Sequence, residues 1–154
     1  MTSNKSKYST INHDLTQNIA NDVHDDPSRD QHINDLIDHE HEIKNRTFYQ
    51  TLMNYINEKK LDPVNVYKRA GIDRKLFWKI RSLPKYIPAK KTIIALALAM
   101  ELTLEQTQEL LNAGGYTLSN TILSDLIIEI CIKEDIYDIN DINIILFKHN
   151  QNLI

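Results

Sequence analysis

Residues 66–82 read VYKRAGIDRKLFWKIRS, and the order of apolar, capping and turn residues in this stretch decides the fold. Just upstream, Asp62 precedes Pro63, the arrangement of an N-cap followed by proline at the first helical position. Val66 and Ala70 carry the apolar side of the helix that follows, and Gly71 stops it. Ile72 fills the turn and Asp73 is placed to cap a second helix. From that second helix Phe77 and Ile80 point inward, while Arg74, Lys75, Trp78, Lys79 and Arg81 cover the remaining surface. The stretch therefore predicts two short helices joined by a three- or four-residue turn, the second one basic on its open face.

Working outward, Phe48, Leu52, Tyr55 and Ile56 recur at three- and four-residue steps and predict an amphipathic helix ending about Lys60, with Lys59 and Lys60 in its last turn. Downstream, a loop with two prolines over 83–89 leads into Lys90, Lys91 and an apolar helix over 92–101. Thr103 with Gln106 three residues on is a capping-box signature for a helix over 104–113, closed by Gly114 and Gly115. Ser119 or Asn120 is expected to cap a further helix with Ile122, Leu123, Leu126, Ile127 and Ile130 on its apolar side. Residues 138–141 offer caps for a last one, striped by Ile142, Ile145 and Leu146. Three Gly and four Pro in 154 residues leave little room for anything but helices and short turns, so the expected class is all-α.

The first 46 residues differ in kind. They are rich in Asn, Asp, His and Ser and bury too little to offset the entropy of ordering, so 1–46 reads as a flexible acidic tail, with a short helix marked near 31–41 by Ile33, Leu36 and Ile37. His24, His32, His39 and His41 among Asp22, Asp25, Asp26, Asp35 and Asp38 raise the question of a metal. Cysteine is absent there and no ligand pair is fixed on a strong helix, so the segment reads as polar linker and no metal is assigned. The sole cysteine, Cys131, lies among Leu126, Ile127, Ile130 and Ile132 and reads as a buried inert thiol. A polar start without a secretory core and a lone cysteine point to a cytoplasmic setting, and the longest apolar run, 93–100, is far below the roughly 20 residues of a membrane span. There is no glycine-rich phosphate loop, no HExxH and no paired cysteine spacing, so neither catalysis nor a cofactor is expected.

Charge is distributed unevenly. Residues 47–100 hold eleven Lys and Arg against three acids, a net +8, flanked by −4 before and −7 after, so an overall −3 conceals a cationic region of polyanion size. Two short helices with Gly71 in the turn have the dimensions of a helix-turn-helix, whose second helix lies in the DNA major groove. Arg74, Lys75 and Trp78 are then the expected base contacts, with Trp78 either exposed as an anchor or packed on Tyr86 or Pro84. Lys79, Arg81, Lys85, Tyr86, Lys90 and Lys91 are the expected phosphate contacts.

With Gly71, Ile72, Phe77 and Ile80 at the turn and core positions, residues 48–118 resemble the lambda-repressor-like (Xre-type) DNA-binding domain. The longer string from YKRAGIDRKLFWKIRS through IPAKKTIIALALAMELTLEQTQELLNAGGYTLS is also similar to a bacterial group of such domains found alone or fused to macro domains. The resemblance implies a five-helix bundle over 47–118 that binds duplex DNA as a small transcriptional regulator, with 119–154 as two added acidic helices. Tyr67 stands where the family usually has a small residue, implying a wider crossing of the two motif helices. Pro63 stands where a polar side chain often touches phosphate. A reading of another class is a protein-interaction module: Ile128, Ile132, Ile136, Ile139 and Ile144 exceed one apolar stripe, so 119–154 would meet a protein partner or a second copy as a homodimer.

Overall fold

The computed structural model describes residues 26–44 and 47–154. Among them all regular structure is helical. The chain divides after Lys44 into two units.

In the first unit, helix α1 spans Pro27–Lys44. Asp26 caps it, its Oδ1 accepting from the Ser28 hydroxyl at 2.8 Å and the Ser28 amide at 3.1 Å, and these bonds, the hydroxyl first, hold the Asp26 carboxyl below its usual value. The helix is longer than the 31–41 segment marked in the sequence, and the reason is local: Asp26-Pro27 is a start signal of the same kind as Asp62-Pro63. Within the segment 1–46 the helix marked near 31–41 thus extends over Pro27–Lys44, while residues 1–25, with His24, Asp22 and Asp25, and residues 45–46 lie outside the described residues. Side chains 26–39 are exposed, including Ile33, Leu36 and Ile37.

In the second unit, α2 is Phe48–Glu58, α3 Pro63–Arg69, α4 Arg74–Ser82, α5 Lys90–Ala99, α6 Leu104–Ala113, α7 Leu123–Lys133 and α8 Ile139–Lys148. Helix α5 is its axis. Every side chain from Ile93 to Met100 is buried, because α5 packs against α3, α6 and α8 on different sides; α2 lies against α6, and α7 contacts both α6 and α8. A helix apolar all round can only be stable when enclosed in this way.

Capping boxes start α2 (Thr47 with Gln50) and α6 (Thr103 with Gln106), and aspartates start α3, α4 and α8. Helix α7 departs from expectation. Its N-cap is Ile122, without a side-chain bond, while Ser119 donates its amide to Asp125 at 2.8 Å. Its buried side is also rotated from the expected stripe: Ile127, Ile128, Cys131 and Ile132 are enclosed, whereas Ile122, Leu123 and Ile130 face out. Contact with α6 and α8 on two sides absorbs Ile128 and Ile132. Of the surplus aliphatics, Ile136 and Ile139 are half-buried and only Ile144 is exposed.

Six helices end in one way. Leu61, Ile72, Leu102, Tyr116, Ile136 and Gln151 donate their amides back five residues, to Ile56, Tyr67, Ala97, Leu111, Cys131 and Leu146, at 2.8–3.1 Å. The residue before each donor has a positive φ: Lys60 (54°), Gly71 (67°), Glu101 (52°), Gly115 (76°), Asp135 (57°) and Asn150 (54°). These are Schellman corners, and in five of them the donor is an apolar residue that folds back on the bundle. Lys59 and Lys60 accordingly lie beyond α2 rather than in its last turn.

Candidate functional site

Helices α3 and α4 are positioned by local chemistry. Asp62 Oδ1 accepts from the Val64 amide at 3.3 Å, with Pro63 in the first turn, and Asp73 Oδ1 accepts from the Leu76 amide at 2.7 Å. Gly71, at φ 67°, makes the corner between them, and Phe77 and Ile80 anchor α4 to the core. Tyr67 and Phe77 meet across the crossing with ring centroids 5.2 Å apart and planes tilted by 37°.

The cationic side chains of α4 fall on two faces. Arg74, Trp78 and Arg81, at steps of four and three, border a cleft of about 370 Å³ between α3 and α4, whose wall is completed by Pro63, Val64, Tyr67 and Phe77. Trp78 is 63% exposed, which settles it as a surface side chain rather than core filler. Lys75 and Lys79, also four apart, occupy the outward face. The Lys79 ammonium sits 4.4 Å from the centroid of the Tyr86 ring, so the 83–89 loop folds against that face through a cation–π contact. Among the described residues no carboxylate lies within ion-pair distance of Arg74, Lys75, Lys79, Arg81, Lys85 or Lys91. Lys85 and Lys91 are exposed.

Lys90 stands apart from this set. Its ammonium contacts Asp125 Oδ2 at 2.6 Å, and the same oxygen accepts from the Ser119 amide; Asp125 is 5% exposed and Lys90 28%. This ion pair ties the start of α5 to α7. Asp125 was not singled out in the sequence, although an acid three and seven residues from Ile128 and Ile132 stands on an apolar stripe and needs a partner. Two other cations are likewise engaged near the corner after α5: Arg69 pairs with Glu101 at 2.8 Å, and Lys59 donates to the Glu101 carbonyl at 3.0 Å.

The charge changes sign elsewhere on the unit. A hollow of about 480 Å³ between α6 and α7 is rimmed by Glu105, Glu109 and Glu129 and repels polyanions. On α8, Phe147 is 74% exposed with Ile144 three residues away on the same face. Cys131 is buried, and burial pushes its thiol above the usual value. Among the described residues no group of three or more His, Cys, Asp or Glu is placed to hold a metal ion, and no helix is long and apolar enough to cross a membrane. Comparison of the chain with known protein families, with curated proteins and with solved structures finds no match.

Proposed function

We propose that the protein binds duplex DNA as a small transcriptional regulator acting in the cytoplasm, without catalytic activity of its own. In this reading α2 to α6 form a five-helix domain resembling the lambda-repressor type, and α3 and α4 are its helix-turn-helix. Arg74, Lys75 and Trp78 reach base edges from α4, while Lys79, Arg81, Lys85, Tyr86 and Lys91 hold phosphates. Lys90 is left out of the phosphate set because its charge is already satisfied by Asp125.

The observation that carries the reading is the state of α4: a capped, anchored helix with four exposed cations that lack acidic partners among the described residues. Unpaired positive charge on a fixed scaffold is what a polyanion requires, since releasing its counterions supplies most of the binding free energy. Four cations on phosphates give a slope of log K against log salt of roughly −3 to −4, or about a hundredfold loss between about 50 and 200 mM salt. Fluorescence anisotropy of labelled duplexes, after selection from a random pool, measures this. Affinity that does not respond to salt, or no binding at low salt, refutes the reading.

A second reading, a protein-interaction module working through 119–154, is favoured by Phe147 and Ile144, which leave apolar surface on α8 uncovered. Light scattering over a dilution series tests its self-associating form, a homodimer.

A further inference from the structure

We infer that the cleft between α3 and α4 receives a single unpaired nucleobase, stacked on Trp78, so that the preferred DNA carries a base outside the double helix. The inference rests on the DNA-binding reading and adds the form of DNA that this site takes. Three observations lead to it.

First, the cleft is aromatic. Tyr67, Phe77 and Trp78 contribute rings to it, and at about 370 Å³ it lies at the lower end of the roughly 300–1,000 Å³ range of small-molecule pockets. A flat base edge approaching from a groove has no use for a half-open aromatic hollow. An extruded base does, because its π face finds an indole there instead of water.

Second, the cleft is bordered by cations at both ends. Arg74 and Arg81 are seven residues apart on α4, hence about 10 Å along the helix axis, with Trp78 between them. Neither has a carboxylate partner among the described residues. A base on Trp78 has a phosphate on each side, and the spacing brackets that unit of the backbone. On such a site Arg74 takes a phosphate in place of the base edge it reaches on fully paired DNA, and Arg81 keeps its phosphate; both guanidinium planes suit phosphate oxygens.

Third, the faces of α4 divide the work. Lys75 and Lys79 point away from the cleft, and Lys79 is held over Tyr86. On that outward face Lys75 meets the base edges and Lys79 the backbone of the paired DNA, while the cleft holds the displaced nucleotide. Tyr67 gives the cleft one of its walls, which is the role its bulk plays at this crossing.

Trp78 is the only tryptophan in the chain, so its emission reports directly on the cleft. The test uses the full chain and one DNA sequence in three forms: a fully paired duplex, the same duplex with one bulged base, and the single strand. Anisotropy gives affinity and tryptophan quenching gives stacking. The expected result is at least about tenfold tighter binding of the bulged duplex than of the paired one, with quenching on the bulged form. Trp78→Ala brings the ratio of bulged-duplex to paired-duplex affinity to about one, whatever it does to paired-duplex affinity itself, while Trp78→Phe keeps most of that ratio. Trp78 is exposed, so neither variant disturbs the core. Equal or weaker binding of the bulged duplex, with or without quenching, overturns the inference and leaves the DNA-binding reading standing. Failure of all three forms to bind overturns both.

Discussion

The Lys90–Asp125 pair gives a quantitative prediction, because its geometry decides between two roles for Lys90. At 2.6 Å the attraction is gross, several kcal/mol at an effective dielectric of about 20, but desolvating Asp125 offsets much of it. What remains is read by removing partners singly. Lys90→Met leaves a buried carboxylate with only the Ser119 amide. Breaking a fully buried pair costs about 3–5 kcal/mol, and the partial exposure of Lys90 reduces this to about 2–3. Asp125→Asn keeps an acceptor for Ser119 and strands an ammonium that still reaches water, costing about 1–2 kcal/mol. The double variant loses about 1–2 kcal/mol, well short of the sum, giving a coupling of about 2 kcal/mol. For a unit of this size Lys90→Met lowers Tm by roughly 8–12 °C. Urea and thermal unfolding followed by circular dichroism measure all four corners of the cycle. A coupling below about 0.5 kcal/mol refutes the structural role. The same Lys90→Met protein, kept well below its Tm, binds DNA within about twofold of the parent; a selective loss of affinity with unchanged stability would return Lys90 to the phosphate set.

The remaining predictions concern strain, an orphaned hydroxyl, the core and the thiol. Lys60 holds a positive φ of 54° with its side chain in solvent, so Lys60→Gly raises stability by about 0.5–1 kcal/mol, seen as a Tm increase of a few degrees; a decrease contradicts the corner geometry. Thr107 is fully buried and its Oγ1 has no hydrogen-bond partner among the described residues. Thr107→Val is therefore expected to stabilise by about 1 kcal/mol in urea unfolding, and a loss of that size counts against an unpaired hydroxyl. Leu98 is enclosed on the central helix α5, and Leu98→Ala costs about 2–5 kcal/mol by the same assay. Cys131 is enclosed and its thiol titrates above its usual value, so a thiol reagent at neutral pH labels it only as fast as the unit opens; immediate labelling of the native protein argues against the enclosure.

What was legible in the sequence was what neighbours along the chain decide. Asp62-Pro63, Asp73, Thr103 with Gln106 and Asp138 start their helices where the sequence places them, because an N-cap is a bond between residues two or three apart. Gly71 ends α3 for the same reason. The corners at Lys60 and Glu101 were not legible, since nothing in those side chains favours a left-handed backbone and the apolar residue after each pulls the chain inward and imposes it; Asp135 and Asn150 belong to the types that tolerate this conformation, a signal the sequence reading passed over. The buried side of α7 escaped because two neighbours, α6 and α8, decide which of its many aliphatics are covered. Within the candidate site, Arg74, Lys75, Trp78, Lys79 and Arg81 were marked by charge and spacing alone. The engagement of Lys90 was not, because its partner lies 35 residues away.

The repeated helix endings bear on how quickly this chain acquires its shape. Each such corner is closed by groups no more than five residues apart, so little loop-closure entropy is spent in making it once the apolar residue beyond it packs on the bundle. Assembly is then largely the packing of short helices around α5 with tight local connections, and refolding in the microsecond-to-millisecond range of proteins rich in near-neighbour contacts is the expected outcome in stopped-flow or temperature-jump measurements.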